Sequence, residues 1–229
     1  MEDYKELQKK IKIKFKKPDF LKTALVHRSY LNEHKSFPLE QNERLEFLGD
    51  AVLELVTTQY LYLNFPNPEG ELTNLRAALV NSKMLSDIAK ELGLGPFIKM
   101  SKGEKQDSNL KARNYILANA LEAVIGAIYL DQGYEAAQTF IGKNILTKLP
   151  HILENNLFLD PKSKFQEKAQ ELYNATPIYK VLSESGPDHK KFFRIGVYIN
   201  SGLVAEGEGT SKQEAQMAAA RNALEVKGW

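Results

Sequence analysis

Four acids, Glu43, Glu46, Asp50 and Glu54, stand three, four and four residues apart in the stretch ERLEFLGDAVLELVTTQY at 43–60. That spacing stacks carboxylates along one side of an α-helix. Leu45, Leu48, Val52, Leu55 and Val56 recur in the same stretch at three- and four-residue steps and predict a buried apolar face beside the acids. Like charges so placed repel, and a divalent cation, which prefers oxygen ligands, removes that cost. Water does the same for a face turned outwards, and a solvated stripe is the ordinary fate of helical acids. Spacing alone leaves both readings standing.

A further carboxylate narrows the question. In YILANALEAVIGAIYLDQG at 115–133, Glu122 is the one acid before Asp131. A carboxylate in an otherwise apolar helix is costly unless it is paired or bound to metal. Asn119 lies one turn earlier on the same side. The small residues Ala118, Ala120, Ala123, Gly126 and Ala127 allow another helix to come close, and an internal core or a subunit interface would suit them equally.

These candidates need a scaffold, and 229 residues supply enough chain for one or two domains with a proper core. Apolar residues make up 43% and charged residues 26%, with no apolar run of membrane-spanning length. The basic stretch MEDYKELQKKIKIKFKK lacks the apolar core of a secretory signal, and its acids argue against a transit peptide. The expectation is a soluble cytoplasmic protein with no membrane partner. Cysteine is absent, so any metal must be held by oxygen or histidine. The net charge of +2 does not by itself mark a nucleic-acid binder, although residues 161–229 carry ten Lys or Arg against eight Asp or Glu.

Along the chain, residues 3–15 and Phe20–Leu31 predict short helices, and His27 near the end of the second reads as a structural, hydrogen-bonded histidine. Gln41 or Asn42 is expected to cap the acidic helix, which runs to about Leu63. NFPNPEGEL is a loop with Glu69 at its end, Leu72–Leu92 is helical, and GLGPFIKMSKGEKQDSNLKARN is a long exposed connection. The helix carrying Glu122 follows, then one from Tyr134 to about Leu149. Residues 151–160 read as a linker. Beyond it, a helix, three β-type runs and an alanine-rich helix give the order αβββα.

Taken together, NERLEFLGDAVL at 42–53, RAALVN at 76–81 and LANALEAVIGAIYLD at 117–131 resemble the ribonuclease III family. SKFQEKAQE, GPDHKKFF and GTSKQEAQMAAARNAL are similar to a double-stranded RNA-binding domain. The resemblance implies a mainly α protein: an all-helical endonuclease domain at 1–150, the linker, and a small α+β double-stranded RNA-binding domain at 161–229. It implies Mg²⁺-dependent hydrolysis of double-stranded RNA, with Mn²⁺ as a substitute, 5′-phosphate and 3′-hydroxyl products, a role in rRNA and mRNA processing, and a homodimer. By position, Asp50 and Glu122 match the family's catalytic acids. Glu46, Asp50, Asn119 and Glu122 match its metal site, with Asn119 where aspartate is common, which predicts weaker metal affinity with activity retained. Glu69 matches an acid near the substrate in a second layer, and Glu43 matches the family's first acid of this helix, linked to subunit contacts and scissile-site choice. Gln166, Glu167 and the loop Pro187, Asp188 and His189 match minor-groove contacts, while Ser211, Lys212 and Gln216 match contacts at the start of the last helix. Lysine is sparser there than in relatives, so RNA binding is expected to be weak and salt-sensitive. An RNA-binding module without catalysis, or a helical interaction protein with a solvated stripe, are the competing expectations.

Overall fold

A computed structural model of the chain describes residues 4–106, 108–158, 160–187 and 190–229. These fall into two compact units, Met1–Phe158 and Leu159–Trp229. The first is helical: α1 (Tyr4–Ile11), α2 (Pro18–Ala24), α3 (Arg28–Glu33), α4 (Glu43–Asn64), α5 (Glu69–Val80), α6 (Ser82–Glu91), α7 (Lys102–Gln106), α8 (Leu110–Gln132), α9 (Tyr134–Asn144) and α10 (Leu149–Glu154). Its axis is α8, in which Ile116, Ala118, Ala120, Leu121 and every residue from Ala123 to Ile128 are buried. The acidic helix α4 lies directly against it.

The two long helices meet backbone to backbone. A methyl group built on Gly49 of α4 would run into the carbonyl oxygen of Glu122, and one built on Gly126 of α8 would run into that of Leu45. Only glycine at both positions permits this approach, because even alanine's Cβ would overlap main-chain atoms that cannot rotate away. The small-residue face around Gly126 therefore serves the core of this chain.

Several expected elements differ in detail. Phe20–Leu31 is two helices: the first ends at Ala24, and His27 caps the next, its Nδ1 accepting the Ser29 amide at 3.3 Å. Leu72–Leu92 is also two, broken at Asn81, whose side chain accepts the Met84 amide at 2.9 Å. The connection after α6 is partly docked: Phe97 and Ile98 are buried, and Lys99 pairs with Val26 in a parallel bridge. Of the expected apolar face of α4, Leu45, Val52 and Val56 are buried and Leu48 is half-buried, but Leu55 faces solvent. The first unit also runs beyond residue 150, with Ile152 buried and Leu153 and Phe158 packed on its core. Among the described residues, no helix is long and apolar enough to cross a membrane.

In the second unit, α11 (Pro161–Tyr173) precedes β1 (Ile178–Ser185), β2 (Phe192–Ile199) and β3 (Gly202–Gly209), which form one antiparallel sheet in the order β1-β2-β3, followed by α12 (Lys212–Lys227). Phe193, Ile195, Val197 and Ile199 alternate inward along β2, as a strand with one covered face requires. Phe165 and Ala169 of α11 and Ala215, Ala219, Ala220 and Ala223 of α12 complete this core. The alanines on α12 let the helix lie close on the sheet.

Candidate active site and RNA-binding surface

The start of α4 is fixed by a residue expected merely to cap it. Asn42 is buried, and its side chain donates to the carbonyl of Ala24 at 3.3 Å while its backbone amide donates to that of Val26 at 2.9 Å. It occupies the cap position but makes no side-chain cap bond. Gln41 instead donates to the Glu43 carboxylate at 3.0 Å. The beginning of the acidic helix is thus tied to the segment around α2.

From that start the acids follow in order. Glu43 and Asp50 are exposed, and Glu46 is half-buried between them. Because Gly49 packs on the backbone of Glu122, the side chain of Glu122 enters the same neighbourhood from α8. Burial and the charges of Asp50 and Glu46 push the Glu122 carboxyl up to about 8. Burial and the Glu43 charge also raise Glu46, against a hydrogen bond from Asn119 that lowers it, with Asp50 adding to the rise. A carboxylate can only accept, so the amide NH₂ of Asn119 is the donor. Glu46, Asp50, Asn119 and Glu122 are therefore neighbours, although among the described residues no three His, Cys, Asp or Glu side chains are placed so as to hold a metal ion.

This donor set fits a hard divalent cation. It consists of carboxylate and amide oxygens with neither sulfur nor histidine, and bound positive charge would offset the burial and the repulsion that together raise Glu122. Glu69 is not part of the row. It begins α5 and lines a separate cavity of about 440 Å³ with Thr58, Tyr62 and Arg76. Glu54, the last acid of the stripe, pairs with Arg76 of α5 at 3.7 Å.

In the second unit, Gln166 and Glu167 are exposed on α11. Ser211 is the N-cap of α12, its Oγ accepting the Glu214 amide at 3.1 Å. Gln216 is half-buried and accepts from Lys162 Nζ at 2.7 Å, so its side chain joins the two helices. Asp188 and His189 lie outside the described residues. Lys190, Lys191, Ser211 and Lys212 border one cavity of about 860 Å³ at the N-terminus of α12. The paired lysines in GPDHKKFF signalled that basic edge, but sequence reasoning did not assign them to the site.

Residues 17–149 match the Ribonuclease-III-like family, and residues 161–227 match the double-stranded RNA binding motif. Ribonuclease 3 of Carboxydothermus hydrogenoformans is 46% identical, with the alignment covering 96% of this chain and 94% of the relative. Ribonuclease 3 of Protochlamydia amoebophila is 43% identical over 95% and 89%. A solved nuclease domain of ribonuclease III from Campylobacter jejuni, 43% identical, aligns with 66% of this chain and 98% of its own length at a TM-score of 0.57. With the acid row on α4 and α8 and a helix-flanked three-stranded sheet behind it in the sequence, the chain belongs to the ribonuclease III family of endoribonucleases.

Proposed function

We propose that this chain hydrolyses phosphodiester bonds of double-stranded RNA with Mg²⁺, leaving 5′-phosphate and 3′-hydroxyl ends, and that it acts in the cytoplasm on rRNA and mRNA precursors. The observation that carries this reading is the row of acids assembled across the Gly49–Gly126 crossing. The nuclease domain, expected over residues 1–150, takes in the segment through residue 158 that packs on its core, and residues 161–229 form the RNA-binding domain. Glu46, Asp50, Asn119 and Glu122 hold the metal, with Asp50 and Glu122 indispensable, and Mn²⁺ substitutes for Mg²⁺ because both accept oxygen ligands. Bound there, the metal supplies an activated water, compensates charge on the scissile phosphate and stabilises the leaving 3′-oxygen.

The protein's part is positioning. Asp50 presents its carboxylate to solvent, where a duplex can reach it, while Glu122 is held from the opposite helix by a contact that leaves little freedom. Asn119 steadies Glu46 through its NH₂ and keeps its carbonyl oxygen for a metal or a metal-bound water. Glu43 and Glu69 face the substrate beyond the metal site. Gln166, Glu167 and His189 read 2′-hydroxyls across the minor groove, and Ser211, Lys212 and Gln216 meet phosphate at the start of α12.

The active form is a homodimer in which each site cuts one strand. Phe47, Leu55 and Tyr62 recur at eight- and seven-residue steps on the outer side of α4 and are 81%, 58% and 76% exposed, an apolar stripe suited to burial against a second copy. The Campylobacter jejuni nuclease domain has a region involved in dimer formation, which supports the same arrangement here. A plain RNA duplex incubated with the protein and Mg²⁺ tests the proposal through the chemistry of the new ends: 5′-phosphates are expected, and 5′-hydroxyls would overturn the assigned bond cleavage.

A further inference from the structure

Beside the acid row lies a second cluster of charge, of which the hydrolytic reading uses Glu43 alone. Arg28, Asn32, Glu40, Glu43 and Arg44 surround a cavity of about 620 Å³ at the N-terminal end of α4. Arg28 faces Glu43 at 3.6 Å, and Arg44 faces Glu40 at the same distance. Both separations exceed the length of an N–H···O hydrogen bond, and the arginine side chains are 72% and 86% exposed. Exposed ion pairs of this kind hold their partners weakly. Two guanidinium forks therefore stand over one cavity with most of their donors uncommitted.

We propose that this cavity is a phosphodiester subsite, in which Arg28 and Arg44 grip a backbone phosphate of the RNA next to the one being cut. The inference rests on the double-stranded RNA reading above. Guanidinium matches phosphate through paired N–H···O bonds, which a lysine ammonium does not reproduce. Glu43 fixes the location: it lines the cavity and pairs with Arg28, while its charge is felt by Glu46 one turn along α4. A phosphate held here would lie about one helical turn along α4 from Glu46. The Asn32 amide adds a neutral donor or acceptor for the attached ribose. Glu40 and Glu43 compete with phosphate for the arginines, so releasing either fork from its carboxylate should strengthen RNA binding.

That competition gives the test its sign. Equilibrium binding of a plain RNA duplex is measured for the full-length Glu122→Gln protein across a series of salt concentrations, alone and combined with Arg28→Gln, Arg44→Gln or Glu40→Gln. Arg28→Gln and Arg44→Gln are each expected to weaken binding about three- to tenfold and to flatten the slope of log K against log salt, by up to about 0.9 between them, the value for one phosphate contact. Glu40→Gln is expected to tighten binding about two- to threefold by freeing Arg44. If the pair merely braces α4, Glu40→Gln and Arg44→Gln must shift binding in the same direction. That result, or an unchanged salt slope in Arg28→Gln, overturns the subsite. A parental protein that binds as expected but never cuts RNA would remove the nuclease assignment and leave the subsite standing. Cleavage with unmoved slopes would do the reverse.

Discussion

At the scale of single residues, Glu122 carries the most chemistry. Its carboxyl is pushed up to about 8 by burial and by the charges of Asp50 and Glu46, against an ordinary value near 4.5. The metal-free folded protein therefore binds a proton that the unfolded chain has already released, and its stability falls as pH rises from about 4.5 through about 8. Glu122→Gln should remove most of that fall. In thermal denaturation without divalent ions at pH 9, it should melt above the parent by roughly 2–4 °C for each kcal/mol recovered. Asn119 gives a complementary case. Asn119→Asp deletes the donor that now serves Glu46 and adds a charge to the row, so the metal-free protein should lose about 1 kcal/mol while half-saturation of cleavage moves to lower Mg²⁺. Denaturant melts and a Mg²⁺ titration read the two effects separately, and unchanged Mg²⁺ dependence would remove the charge argument for this position.

At the scale of elements, the site depends on how closely α4 and α8 approach. Gly49→Ala places a methyl group against the Glu122 carbonyl, so the helices must separate and the acids with them. The expected cost is about 3 kcal/mol in urea denaturation, at the upper end for an overpacked core, together with loss of cleavage. Gly142, whose added methyl group would meet open space, provides a control within α9. This contact also marks how far the sequence can be read. The acid stripe, the lone Glu122 and the small-residue face were legible in helical spacing, and so was the αβββα order, because amphipathic periods are local properties. Whether the small face served this chain or a partner was not, since Gly49 gains its meaning only from a carbonyl more than seventy residues away. The break at His27 escaped for a related reason: its ring replaces a helical hydrogen bond with a cap, which periodicity does not register. Leu55 fits the apolar rhythm of α4 yet faces outwards, because the burying surface stops short of it.

For the whole molecule, Phe47, the most exposed residue of the outer stripe on α4, is the most direct handle on assembly. Phe47→Glu should leave the fold intact, shift sedimentation from dimer to monomer and weaken self-association at least roughly a hundredfold, since it puts a charge into an apolar contact. The central claim, that Glu46, Asp50, Asn119 and Glu122 form the metal site of a double-strand-specific nuclease, is tested most directly by the Mg²⁺ dependence of duplex cleavage. Parent and Glu122→Gln are compared on the same RNA, with duplex binding measured alongside. The parent should cut at a rate that rises with Mg²⁺ and saturates. Glu122→Gln should lose more than the roughly 10–100-fold that outer partners of a metal site contribute, while binding the duplex as before. A parent that yields no product at millimolar Mg²⁺ or Mn²⁺, or a Glu122→Gln protein that cuts at the parental rate with the same Mg²⁺ dependence, would contradict the account.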